Sequence, residues 1–267
     1  YIQDIINSKP SGTTYLLKKG VHRTTMLSPK KDDVIWGEVG AILSGAKLLD
    51  SSTAQREGVL YYFSNQTQAS EPKPTSGFRG PLPASQSGTG YICTEELPLC
   101  NYNEEFFMSN TRLKRVANKS DVVAGSWYFD MDSNRIYIAE NPRDRRVEAS
   151  VTQYAINAYG ERENITVRNL IVEKFATPAQ RNAVELASNS GLIEFSEVRL
   201  NHGGAIKLGD NGVARYNHVH NQGQIGFGGS GKNIIVEFNE VAYNNQSGFT
   251  DTWEAGGSKW ARSENLI

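Results

Sequence analysis

The chain has 267 residues, with 28 Lys plus Arg against 29 Asp plus Glu and a net charge of −1. That length allows one large domain with a sizeable core, and the balanced charge removes any global electrostatic case for nucleic acid. No apolar run reaches the roughly 18 residues of a membrane-spanning helix, and no basic, apolar leader precedes Tyr1, so an export signal would lie outside this sequence.

Residues 2–8 read as a short helix, ended by Pro10-Ser-Gly. Short strands follow near residues 14–17, 34–36 and 41–43, separated by Gly20, Gly37 and Gly45. A stack of such strands exposes apolar core at its first coil, and the helix would cover it. Residues 51–90 are rich in Ser, Gly, Pro and Gln. Cys93 and Cys100 are the only two cysteines. They lie close enough, with Pro98 between them, to close a small loop, and a disulfide would fit an oxidising compartment. Two free thiols are the alternative, and without nearby partners the pair makes a poor zinc site. The Asn-x-Ser/Thr sites at Asn65, Asn118, Asn164 and Asn245 are what chance gives in a chain rich in Asn and Ser. Residues 106–138 read as strands and hairpins, clearest where 127–130 and 135–138 flank a turn at 131–134. This organisation gives residues 1–51 as cap and first coils, 52–145 as a lateral β-rich insertion, and 146–267 as the remaining coils.

The last third repeats. ITVRNLIV, LIEFSEV, VARYNHV and IVEFNEV register on Asn169, Ser196, Asn217 and Asn239, at intervals of 27, 21 and 22 residues. Val198, Val219 and Val241 share a column with Ile171; Phe195, Tyr216 and Phe238 share another; so do Ile206, Phe227 and Phe249. Short alternating strands at this interval, with no helix between them, predict an all-β fold, a parallel β-helix whose like apolar residues pile up inside. The Ser196, Asn217, Asn239 column breaks the alternation and marks a turn where stacked amides can form a ladder. Outward columns Glu194, Arg215, Glu237 and Glu197, His218, Glu240 alternate charge along the stack. ENLI at the end repeats KNII and stops in mid-coil, which predicts that the native chain continues, with a further coil or domain after Ile267.

The stretches GSWYFDMDSNRIYIAENP, NITVRNLIVEKFATPAQ, EVRLNHGGAIKLG, IVEFNEVAYNN and GFTDTWEAGGSKW resemble a family of secreted right-handed parallel β-helix proteins of the pectate-lyase-like superfamily, a subfamily without a settled activity. The resemblance covers nearly the whole chain. It implies a secreted or cell-surface protein and, by analogy of fold, a polysaccharide or cell-surface glycan as partner. Members of the family usually carry a further coil with a Gly-Leu-Trp-Thr-Asp type motif after the W-E-A-G-G phrase, and this chain lacks it.

Galacturonan hydrolase and epimerase signatures are absent apart from weak matches at Asn201-His-Gly-Gly and Ala205-Ile-Lys. With Phe249 in the core, residues 250–257 form a loop beside the low floor of Gly226-Phe-Gly-Gly, and Lys207 falls in the column of Gly228 and Thr250, about 10 Å from Asp251. Asp251 and Glu254 form a carboxylate pair suited to acid–base hydrolysis, and Trp253 offers a face to sugar C–H groups. Lys207 would serve as base in an elimination, with Asp210 and His202 close by. His202, His220, Arg199 and Lys259 complete the candidate substrate contacts. For each there is a plainer reading: His202 as a turn residue, His218 in a solvated charge ladder, Trp253 and Trp260 tucked under the loop, Asp251 capping a turn. Trp36, Trp127 and Tyr128 read as packing residues. No cofactor or metal ligand is assigned; calcium would need converging carboxylates, and no dense Asp cluster exists. The two functional readings are a polysaccharide hydrolase or lyase, and a non-catalytic structural or adhesive surface module.

Overall fold

The computed structural model describes residues 1–68, 92–251 and 253–267. Much of the Ser/Gly/Pro/Gln-rich part of the expected insertion, residues 69–91, lies outside the described residues, as does residue 252 in the candidate loop.

The solenoid is built from three parallel sheets. The first has six strands, in the order Thr14–Leu17, Val34–Gly37, Thr166–Arg168, Leu192–Glu194, Val213–Arg215 and Ile235–Glu237. The second runs Gly20–Arg23, Ala41–Ser44, Ile171–Glu173, Glu197–Arg199, His218–His220 and Glu240–Ala242. The third has five strands: Ile156–Asn157, Asn182–Leu186, Gly204–Leu208, Ile225–Gly229 and Gly256–Trp260. Parallel pairing needs a long return path, and from Thr166 onward each coil supplies it by visiting all three sheets. Between them lies one apolar core that includes Ile35, Val167, Ile193, Ala214, Val172, Val198, Val219, Val184, Ile206 and Phe227. The helix Ile2–Ser8 contributes buried Ile6 to that core, with Ile2 packed against it.

The chain leaves the solenoid after Ala46–Leu49 and returns at Val147–Ser150, which pair antiparallel. The excursion forms a five-stranded sheet that contains Leu60–Phe63, Ser126–Asp130 and Arg135–Ile138, the last two joined as the expected hairpin. It has its own apolar cluster around fully buried Trp127, which stacks on Phe106. Trp36, by contrast, is 44% exposed, with the Arg168 guanidinium 5.2 Å over its ring.

The corners hold the register. Asn217 accepts from the Ser196 amide at 3.1 Å and donates to the Asn239 side chain at 2.9 Å, which makes the expected ladder. A second ladder, Asn189, Asn211, Asn233 and Asn265, runs along another corner with links of 2.8, 3.1 and 3.0 Å. It confirms that ENLI stacks on KNII, as does the Val236 amide bonded to the Ile267 carbonyl. Arg215 donates to Glu194 at 2.8 Å in the charged column.

Three registers differ from the sequence expectation. Val172, not Ile171, pairs with Val198, and Leu170 rather than Asn169 lies beside Ser196. The first interval is therefore one residue shorter, and Asn169 shares the left-handed corner (φ 55°) with Phe195, Tyr216 and Phe238 (φ 52°, 55° and 53°). Those aromatics do not enter the core. A positive-φ corner turns them outward, where the rings stack 5.2 Å apart and remain about half exposed or more. The third difference is at the last coil, where Phe227 pairs with Ser258 and not with Phe249.

Candidate functional site

The third sheet alternates in and out, as any strand must. Its inward residues Ile156, Val184, Ile206 and Phe227 are core. Its outward row is Asn157, Glu185, Lys207, Gly228 and Lys259, one residue per coil. The column of Lys207 thus reaches Lys259, where the sequence pattern put Thr250. The repeat failed there because an extra loop precedes the strand Gly256–Trp260.

Lys207, Gly228 and Lys259 of this row form the floor of an open groove of about 370 Å³, lined also by Arg181, Asn182 and Glu254 among others. Glu185 lies beneath the lining, only 1% exposed. Its Oε1 accepts from the Asn182 amide at 2.9 Å. Its Oε2 has no hydrogen-bond partner among the described residues and sits 4.0 Å from Lys207 Nζ. Burial pushes the Glu185 carboxyl up, and the opposing pulls of Lys207, the Asn182 amide and Arg181 do not cancel it. Asn182 Nδ2 and Asn157 Oδ1 are also buried without partners among the described residues. Buried polar atoms are seldom left unpaired; of these residues Asn182 lines the groove, and Glu185 and Asn157 follow in turn along the row from Lys207. Gly228 leaves the floor low without being forced by packing: a Cβ there would meet nothing closer than the Lys259 carbonyl at 3.7 Å.

The wall carrying Glu254 is fixed from below. Glu254 Oε1 accepts from Lys259 Nζ at 2.8 Å. Buried Gln224 donates to the Trp253 carbonyl at 2.9 Å and accepts from the Gln180 amide at 2.7 Å. Cys93 and Cys100 form a disulfide, and Cys93 bridges to Phe249 while Thr250 N bonds to Ile92 O. Phe249, Trp253 and the disulfide make one small apolar cluster. Trp253 packs against this cluster and is half-buried.

The other sequence candidates disperse. Asp251 is exposed and does not line the groove. His202 is 1% exposed, with Nδ1 2.8 Å from Glu105 and Ser247 Oγ donating to the same carboxylate at 2.9 Å. It lines a separate cavity of about 180 Å³ under the insertion, with Glu104 and Arg112. Burial pushes Glu105 up, but Arg112, His202 and Ser247 hold it below its ordinary value. Asp210 accepts from the Lys232 amide at 2.8 Å at a turn. Arg199 and His220 lie on the second sheet, not on the third with Lys207. Arg199 is held by Glu173 and Glu197. Of the eight candidates, Lys207, Glu254 and Lys259 meet in one groove. Glu185, Arg181 and Asn182 were missed. Stepping back 22 residues from Lys207 gives Glu185, a signal present in the repeat.

No protein-family model and no curated protein matches the chain. Among solved structures, XylC in complex with xylose aligns with a TM-score of 0.72 at 15% identity, over 98% of this chain and 54% of that one. A glycoside hydrolase aligns with a TM-score of 0.49 at 12% identity, over 84% and 65%. This chain spans about half the length of the XylC structure. What it shares with XylC is the fold, a parallel β-solenoid interrupted by a lateral β-rich excursion on this chain.

Proposed function

We propose that the chain belongs to an exported polysaccharide-cleaving protein, with the third-sheet groove as its site. The observation that carries this reading is Glu185: a buried carboxyl held up by burial, with one oxygen unpartnered among the described residues, next to Lys207 and just beneath the lining of an open groove whose wall bears Glu254. Two carboxyl groups in different surroundings are what glycosidic hydrolysis needs. Glu185 in its acid form gives its proton to the glycosidic oxygen as the C–O bond breaks. Glu254 takes a proton from the attacking water, leaving a new reducing end and a free hydroxyl. Arg181, Lys207 and Lys259 favour a polymer that carries carboxylates. The xylose held by XylC supports a saccharide as ligand of such a solenoid, and the disulfide fits an oxidising compartment.

The test is incubation with xylan, polygalacturonate and neutral glucans, following reducing ends and the absorbance of unsaturated products together. New reducing ends without unsaturation are expected. Unsaturated products would move the chemistry to elimination with Lys207 as base. Binding without any product would make the chain a non-catalytic adhesive module.

Gly228→Leu gives a second expectation. The side chain has room in the strand yet fills the groove floor, so affinity for the polymer falls about tenfold or more, 1.4 kcal/mol, while stability changes by about 0.5 kcal/mol or less. Affinity electrophoresis and thermal unfolding of the same variant check the two halves; unchanged affinity would remove the ligand from this floor.

A further inference from the structure

The second sheet carries a constellation that the groove does not use. On adjacent strands, Glu197 pairs with His218 and Arg199 with His220. Side chains two apart on a strand share a face, so Glu197, His218 and His220 project together. Their donor atoms, a carboxylate oxygen and one nitrogen of each ring, all lie within 4.8 Å of one another. His220 Nε2 is 3.0 Å from Glu197 Oε1, and the two imidazole rings stack with centroids 4.0 Å apart. A tetrahedral ion about 2.1 Å from each donor keeps donors about 3.4 Å apart; small side-chain rotations close the difference.

The second nitrogen of His220 supplies an independent observation. Nδ1 lies 2.6 Å from Asn221 Oδ1, which can only accept. In the tautomer whose Nδ1–H donates to that oxygen, Nε2 presents its lone pair on the side of Glu197. An imidazole whose far N–H is held by a side-chain oxygen is the usual outer support of a metal ligand. Arg199 also donates to Glu197, at 2.6 Å, and so competes for it. It is not stranded when Glu197 turns to an ion, because its Nε and Nη2 are bonded to Glu173 at 2.9 and 2.7 Å. Glu240, 3.7 Å from His218 Nε2, stands on the next strand as a further oxygen donor. All three side chains retain some solvent access, so an ion can enter and a water can take a remaining position.

We propose that Glu197, His218 and His220 form a binding site for one divalent transition-metal ion of the zinc class, on the outer face of the second sheet. Two imidazoles and one carboxylate select such ions over calcium or magnesium, which take oxygen ligands. The sequence put Glu197 and His218 in one outward column but took it as a charge ladder and assigned no metal ligand. Only the stacking of coils joins them.

The experiment titrates ZnCl2 calorimetrically into the full chain after chelator treatment, and records the visible absorption of the Co2+ form. One equivalent of zinc and an intense cobalt band near four-coordinate geometry are expected. His220→Ala and Glu197→Gln should each weaken zinc binding about 100-fold, and Asn221→Ala about tenfold. Glu197→Gln keeps an acceptor for Arg199 and guards against loss of fold, which circular dichroism checks. The chain's other histidines, His22 and His202, remain in every variant as internal controls. No zinc binding to the wild-type chain at millimolar ion, or equal binding by the wild type and a His218→Ala/His220→Ala variant, would overturn the proposal.

Discussion

Under the proposed cleavage, Glu185→Gln is expected to lower the rate by about 10²- to 10⁴-fold, the range a positioned general acid contributes. Glutamine keeps the shape of the side chain and can still accept from the Asn182 amide, so the groove stays intact. What is lost is the proton. Because burial holds the Glu185 carboxyl above its ordinary value, the acid form persists to higher pH than a solvated Glu allows. The wild-type rate therefore falls as pH rises through that raised value, and this basic limb should vanish in the residual activity of the variant. Polymer affinity should hold, since Lys207, Arg181 and Lys259 remain. A variant with wild-type rate and an unchanged basic limb would remove Glu185 from the chemistry. The same carboxyl affects stability with the opposite sign from most acids. Its folded form binds the proton more tightly than the unfolded chain does, so its contribution is greatest at low pH and declines as pH rises through the raised value.

Glu148→Gln destabilises the fold by about 3–5 kcal/mol, the usual cost of breaking a buried ion pair from one side. Glu148 stands on the strand where the chain rejoins the solenoid. It is fully buried and accepts from Arg23 and Arg146, each at 2.8 Å, and from Lys174. Lys174 is also fully buried and donates to Asn110 of the insertion at 2.7 Å, with Glu173 3.5 Å away. Removing the Glu148 charge leaves three cations converging on a neutral amide. The double variant Glu148→Gln/Lys174→Met should recover part of the loss, and a double-mutant cycle in urea measures the coupling. Burial raises the Glu148 carboxyl, but Lys174 and Arg146 win and hold it below its ordinary value. The stability it contributes is present above the unfolded-state value and lost as pH falls through the lowered one. Glu148→Gln should accordingly flatten the acid side of the stability profile. Equal stability of wild type and single variant would mean that the network only breaks even against its desolvation.

The coils from Leu192 onward were legible because their lengths are nearly equal and the same residue types recur at the same corners. The register slipped by one where a coil has a different length, between Val167 and Ile193, since Asn169 imitates the ladder column but occupies the left-handed corner before it. Phe249 misled for a related reason. It is buried as expected, but against the disulfide loop rather than in the solenoid. That error carried Lys207 to Thr250 and hid Lys259 as its true column mate. His202 could not be placed from the repeat because its partner Glu105 comes from the insertion, 97 residues away and outside any period. The sequence brought Glu254 and Lys207 to one groove because a carboxylate-bearing loop beside a low glycine floor is local information.

The most direct measurement is a crystal structure of the Glu185→Gln variant soaked with xylo-oligosaccharide and, separately, with oligogalacturonate. The expected result is a sugar chain running from the Gly228 floor past Lys207 toward residue 185, with a glycosidic oxygen within about 3 Å of the residue 185 side chain. A sugar seated on another face, with this groove empty, would contradict the assignment of the site.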